Sequence, residues 1–249
     1  MTIVLSNGGG TQSTALIALI VRGLLPRPDY VVTADTGREK TQTWDYIERV
    51  HRPALEALGV PVVIVPPSYR RHDLTLSDHV LMPMYTNKNG GISKLPTYCS
   101  NEWKKRPVMR WLREQGVKRA TQWLGISIDE SDRMKPSGVQ WLTNAFPLID
   151  LGISRDGCYQ LVREMGWPEP PKSSCYMCPH MGDPQWRHLR KHYPADFQKA
   201  VEVEREVRER DPHAFLHRSA KPLDLVPWDE QRGLFEDDQL TCTSEGCWI

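Results

Sequence analysis

The sequence predicts an α/β protein, a parallel twisted sheet flanked by helices, with a helical, cysteine-containing region at its C-terminal end. Three observations carry this reading. Short apolar runs alternate with longer segments of helical spacing up to about residue 150; a glycine run joins the first strand to the first helix; beyond residue 150 the strand signals stop. A soft boundary therefore separates residues 1–150 from 151–249 of the chain.

Thr2-Ile3-Val4-Leu5 reads as a short buried strand, and Ser13 to Leu25 as an apolar-rich helix that begins once the glycines end. Tyr30 to Ala34 is a second strand, Thr41 to Leu58 a helix, and Val60 to Val65 a third strand, an alternation that calls for crossover helices on a parallel sheet. Residues 66–98, rich in Pro, Tyr, His, Asn and Gly, show no sustained period and read as an irregular insertion. A helix over Arg106 to Gln115, a strand over Thr121 to Ile126 and a further strand within Val139 to Ile149 complete the sheet. A helix around Arg155 to Met165, the link Pro168-Glu169-Pro170-Pro171, a cysteine turn and a charged helix to about Arg210 follow. In that last helix Glu204 with Arg208, and Glu206 with Arg210, are spaced for solvent-facing pairs.

Charged residues make up 25% of the chain and hydrophobic ones 39%, which excludes a disordered or fibrous chain. A formal net charge of +1 gives no global drive toward polyanions. Lys104, Lys105, Arg106, Arg110, Arg113, Lys118 and Arg119 form one local basic stretch that would serve a nucleic-acid partner; a solvated helix face is the default alternative. The N-terminus lacks the pattern of a secretory leader, and the longest apolar run, Ala15 to Val21, is too short to span a bilayer, so a cytoplasmic protein without a membrane partner is expected. The tryptophans, Trp103, Trp111 and Trp123 among them, are assigned to core packing, and His180, His188 and His192 to the surface.

The chemistry begins at Ser6-Asn7-Gly8-Gly9-Gly10-Thr11-Gln12-Ser13. A glycine run at the start of a helix exposes backbone N–H groups that stabilise phosphate, and Gly8, Gly9 and Gly10 permit its close approach. Ser13 and Thr14 stand where hydroxyls would cap the helix and face the phosphate. The loop has neither the lysine of a Walker A motif nor the spaced glycines of a dinucleotide fingerprint. In a reducing compartment six cysteines read as metal ligands or redox groups. Cys175 and Cys178, two residues apart and followed by proline, place two thiolates on one turn for zinc or an iron–sulfur cluster, a redox disulfide being the alternative; Cys158 is a candidate further ligand or a small buried apolar residue.

The segment Leu5 to Leu16 resembles the pyrophosphate loop of the adenine-nucleotide α-hydrolase, or PP-loop ATP-pyrophosphatase, superfamily, and is most similar to its phosphoadenylyl-sulfate (PAPS) reductase-like branch common in phages. The loop's usual serine and aspartate are Gly8 and Gln12 here, so magnesium would find no carboxylate at position 12. Ala34-Asp35-Thr36-Gly37 resembles the family's second motif. Gly125 to Arg133 resembles the third, with Ser127 where the reductases hold an arginine. Cys99, ahead of Lys104-Lys105-Arg106-Pro107, resembles one half of a paired-cysteine segment that ligates a cluster in iron–sulfur relatives.

The resemblance implies a HUP-like, Rossmann-like fold that binds ATP or a related adenine nucleotide through Ser6, Gly8, Gly9, Gly10, Gln12, Ser13, Thr14, Asp35, Thr36 and Gly125, with Arg133 available to an anion. It implies an enzyme that adenylates an acceptor, nucleic acid being one candidate, for sulfur transfer, fed by a sulfur donor such as a cysteine desulfurase. A [4Fe–4S] cluster on Cys99, Cys158, Cys175 and Cys178 is implied beside it, with zinc as the competing occupant. Cys242 and Cys247 in the polar tail match the position of a mobile sulfur-attacking cysteine; the alternative activity is a sulfonucleotide reductase with a thioredoxin-type partner, and a second alternative is a non-catalytic nucleotide-binding accessory subunit.

Overall fold

The computed structural model describes residues 1–66, 74–76 and 79–228. The tail cysteines Cys242 and Cys247, and residues 67–73 and 77–78 of the expected insertion, lie outside them.

The chain opens with strand β1 (Thr2–Ser6), helix α1 (Thr11–Val21) and strand β2 (Tyr30–Ala34). Helices α2 (Thr41–Tyr46) and α3 (Arg52–Glu56), joined by a π-helical turn at Ile47–His51, lead to β3 (Val62–Val65). Four two-residue strands come next: β4 (Thr75–Leu76), β5 (His79–Val80), β6 (Tyr85–Thr86) and β7 (Ser93–Lys94). A π-helical turn at Asn101–Lys105 precedes α4 (Arg106–Glu114), β8 (Ala120–Trp123), a 3-10 turn at Ile128–Arg133, β9 (Leu142–Ala145), α5 (Pro147–Asp150) and α6 (Arg155–Glu164). Helices α7 (Asp183–His192) and α8 (Pro194–Arg210), strand β10 (Ala214–Phe215) and a 3-10 turn at Leu223–Leu225 complete the described chain.

These elements fall into two compact units. The first, residues 1–66 and 101–173, holds the five-stranded sheet in the order β3-β2-β1-β8-β9, every pair parallel. Period-two alternation on β1 explains its two covered faces. Leu5 enters a cluster with Leu16, Ile17, Ile20, Val31, Leu55, Trp123 and Leu148, while its neighbour Val4 enters another with Val32, Val65, Val108, Leu112 and Leu142. Helix α1 is buried along almost its whole length, its Ala15 to Val21 stretch being apolar on all sides. The expected second helix is broken by the π turn: Pro53 has no N–H to donate, and the wider turn ahead of it shifts the ladder past the ring. Trp103 and Trp123 are buried, and Trp111 stacks edge-on against Tyr30 at 5.2 Å.

The described second unit comprises residues 74–76, 79–100 and 174–228. Helix α6 packs on α1 and belongs with the sheet in the first unit. In this second unit β10, β6 and β7 form an antiparallel sheet beside α7 and α8. Glu204 is not the solvent-facing partner expected of it. It is buried on α8 and accepts the backbone N–H groups of Leu216 and Leu223 at 2.7 and 2.6 Å, and burial raises its carboxyl pKa. Arg208 meanwhile lies over the Phe215 ring. No helix among the described residues is long and apolar enough to cross a membrane.

Candidate nucleotide-phosphate site

The strand order reverses between β1 and β8, and in open α/β sheets ligands bind outside the carboxyl ends of the strands at such a point. The glycine loop leaves β1 there, and Gly125 leaves β8 there. A Cβ on Gly125 would stand 3.0 Å from the Ser13 backbone nitrogen and 3.1 Å from the Gln12 carbonyl carbon, so only glycine lets the end of β8 lie against the start of α1. Gly9 has φ +69°, and a Cβ on it would meet Thr43 Cγ2 at 2.6 Å.

Inside the loop the amides are unevenly used. Gly9 N–H donates to Asn7 Oδ1 at 3.0 Å and Gly10 N–H to Ser13 Oγ at 3.1 Å, so these two are satisfied internally. Three donors converge on the Gly10 carbonyl: the Thr14 N–H at 3.0 Å, the Ser13 hydroxyl at 3.0 Å and the Thr14 hydroxyl at 2.8 Å. Ser13 and Thr14 are buried and hold the loop; their hydroxyls bind its backbone. The first turn of α1 carries no acidic side chain, leaving the positive end of the helix dipole uncompensated by its own residues. Asn7 is 2% exposed, and its Nδ2 donor has no partner among the described residues. Thr43 Oγ1, on the helix against Gly9, and Ser127 Oγ are likewise buried without a partner among them.

The other expected residues are placed as follows. Ser6 Oγ accepts a bond from Gln122 Nε2 on the neighbouring strand β8. Asp35 Oδ1 accepts Gly37 N–H at 2.6 Å and Thr36 Oγ1 accepts Arg38 N–H at 3.1 Å, so both side chains shape the turn that follows β2. Gln12 donates to Glu130 at 2.9 Å, and Arg133 pairs with the same carboxylate at 2.8 Å. A carboxylate and a guanidinium thus sit beside the loop although position 12 carries no charge. Asn7, Thr43 and Glu130 have no role in the sequence reading; the Asn-x-Gly spacing of an Asx turn is the available signal for the first.

Of the basic stretch, Lys104 pairs with Glu39 at 2.9 Å, Lys105 donates to the Ser137 carbonyl, Arg106 pairs with Glu102, and Arg113 lies over Trp141. Four of its seven cations are thereby tied within the first unit, and Arg110, Lys118 and Arg119 are exposed.

The cysteines divide between the units. Cys158 belongs to the first, 0% exposed in the apolar cluster under α1, where burial pushes its thiol pKa up to about 12. Cys99, Cys175 and Cys178 belong to the second and are half-buried, the last two on one turn closed by Cys178 N–H to the Cys175 carbonyl at 3.2 Å. His180, two residues on, meets Lys94 Nζ through Nδ1 at 2.8 Å, and burial, with Lys94, lowers its pKa to about 4. No group of three or more His, Cys, Asp or Glu side chains among the described residues is arranged to hold a metal ion. Cys158, packed into the apolar cluster of the first unit with its thiol held protonated, does not fit the part of a cluster ligand as it stands.

No family model matches the chain, and no curated protein matches it. Among solved structures it is similar to phosphoadenylyl-sulfate (PAPS) reductase from Candida auris in its phosphate complex, at 15% identity and a TM-score of 0.44 over 68% of this chain and 75% of that one. It is similar also to the U34-tRNA thiolase NcsA from Methanococcus maripaludis with its [4Fe-4S] cluster, at 15% identity and a TM-score of 0.44 over 84% of this chain and 72% of that one.

Proposed function

We propose that the chain is an enzyme that binds ATP or a related adenine nucleotide with its phosphates over Gly8 to Ser13 and reacts at the α–β phosphate linkage. One observation carries this: the buried Asn7 Nδ2 donor, without a partner among the described residues, stands in the loop at the uncompensated N-terminus of α1. A buried donor left unmade costs on the order of 1–3 kcal/mol, and an oxyanion placed there removes that cost. The loop sequence, read with the Asp35 and Gly125 motifs, supports an adenine nucleotide as the carrier of that anion.

The reaction class we place on the site is adenylation for sulfur transfer. An acceptor oxygen attacks the α-phosphorus, the bond to the bridging oxygen breaks, pyrophosphate leaves with that electron pair, and the acceptor proton passes to water. A sulfur nucleophile then displaces AMP from the adenylated acceptor. The chain's part is to hold the leaving pyrophosphate on Asn7 and the helix N-terminus, with the Glu130–Arg133 pair joined to the loop through Gln12. Cys99, Cys175 and Cys178, half-buried in the second unit, are the thiols that iron–sulfur chemistry would draw on.

Radiolabelled ATP incubated with total cellular RNA and sulfide tests the reaction. RNA-dependent release of AMP and pyrophosphate is the expected result. Sulfite release from a sulfonucleotide with thiol reductant, without ATP cleavage, would overturn it in favour of the reductase.

A further inference from the structure

We infer that His51 is a positioning residue for the glycine loop, acting through the Thr14 hydroxyl to hold the Gly10 carbonyl inward, so that the amides of residues 11–13 stay presented to an anion. The inference rests on the loop being a phosphate site. Its geometry stands independently of that. His51 Nε2 lies 2.8 Å from Thr14 Oγ1, and both residues are 0% exposed. The hydroxyl lies 2.8 Å from the Gly10 carbonyl and 2.8 Å from His51 Nε2, and the arrangement that serves both contacts has it donating to the carbonyl and accepting from the ring. That arrangement calls for the Nε2–H tautomer, which leaves Nδ1 a bare acceptor, not a buried N–H, with no partner among the described residues.

A leucine would fill the same volume with no polar atom to bury, so packing alone does not account for an imidazole there. The surroundings fix the ring. Tyr46 meets it edge-on at 5.3 Å and anchors its own hydroxyl on the Pro168 carbonyl at 2.7 Å. His51 is the last residue of the π turn, and Ile47, the first residue of that turn, backs Gly9. One wide turn therefore places a donor behind Thr14 and a wall behind Gly9.

The test compares His51→Leu, His51→Gln and Thr14→Val with the parent chain by amide hydrogen exchange without ligand and by titration with pyrophosphate. His51→Leu and Thr14→Val are expected to speed exchange at residues 8–13 while leaving residues 16–20 of α1 unchanged, and to weaken pyrophosphate binding about tenfold. Glutamine, which offers an N–H near the Nε2 position, is expected to restore both. Unchanged exchange at 8–13 in the leucine and valine variants, or an equal rise at 16–20, overturns the inference. Should the leucine variant fail to fold, the valine variant decides. A parent chain that does not bind pyrophosphate sinks the phosphate reading, and the exchange data still decide the role of His51.

Discussion

Acid should weaken the first unit through His51. Burial holds this imidazole far below its ordinary value of 6.5, at about 3. A histidine whose folded pKa is depressed binds its proton in the unfolded chain first, so stability is lost as pH falls through 6.5 and continues to fall toward 3. The slope in that window is about 1.4 kcal/mol per pH unit, so moving from pH 7 to about pH 4.5 should cost about 3 kcal/mol from this residue alone. His51→Gln keeps a donor to Thr14 and removes the titration. Urea denaturation of both proteins at the two pH values gives four stabilities, and the parent's loss should exceed the variant's by about 3 kcal/mol. Other histidines with depressed values, His180 and His217, titrate in both proteins and cancel. Equal acid losses in parent and variant would refute the burial assigned to the ring.

Gly125→Ala should weaken ATP binding at least about tenfold, read by calorimetric titration, because its Cβ would displace the Gln12–Ser13 backbone, not a flexible side-chain tip. Asn7→Asp keeps the acceptor for Gly9 N–H, removes the unpartnered donor and adds a negative charge, so pyrophosphate affinity should fall more than about tenfold. Among the described cysteines, Cys158 should resist a thiol reagent in the native protein and react only on unfolding, whereas Cys99, Cys175 and Cys178 should be labelled before unfolding; peptide mapping of labelled thiols distinguishes them. Cys158→Ala should retain whatever metal the parent carries, measured by elemental analysis.

The strand, glycine loop and helix at the start were legible because each is a local pattern: an apolar run, a break, then an apolar-rich helix. Tyr30–Ala34 was read to its observed ends for the same reason. The contacts that shape the site were not legible, because they join residues far apart in the chain. Gln12 reaches Glu130 across 118 positions, Ser6 meets Gln122 across 116, and Thr14 meets His51 across 37. Glu204 was misread because the spacing of a charged pair says nothing about what backbone packs above it; two N–H groups without strand partners capture this carboxylate. Cys158 carried a usable signal. With Leu161 and Val162 it forms the inward stripe of α6, at the spacing of an ordinary amphipathic helix.

We propose the loop after β1 as an anion site for the phosphates of an adenine nucleotide. Competition between ATP and pyrophosphate, followed by calorimetry on the parent chain and on Asn7→Asp, tests it most directly. ATP is expected to bind, pyrophosphate to displace it, and the aspartate variant to lose affinity for both. ATP binding no tighter than adenosine binding, with pyrophosphate unable to compete, would contradict it.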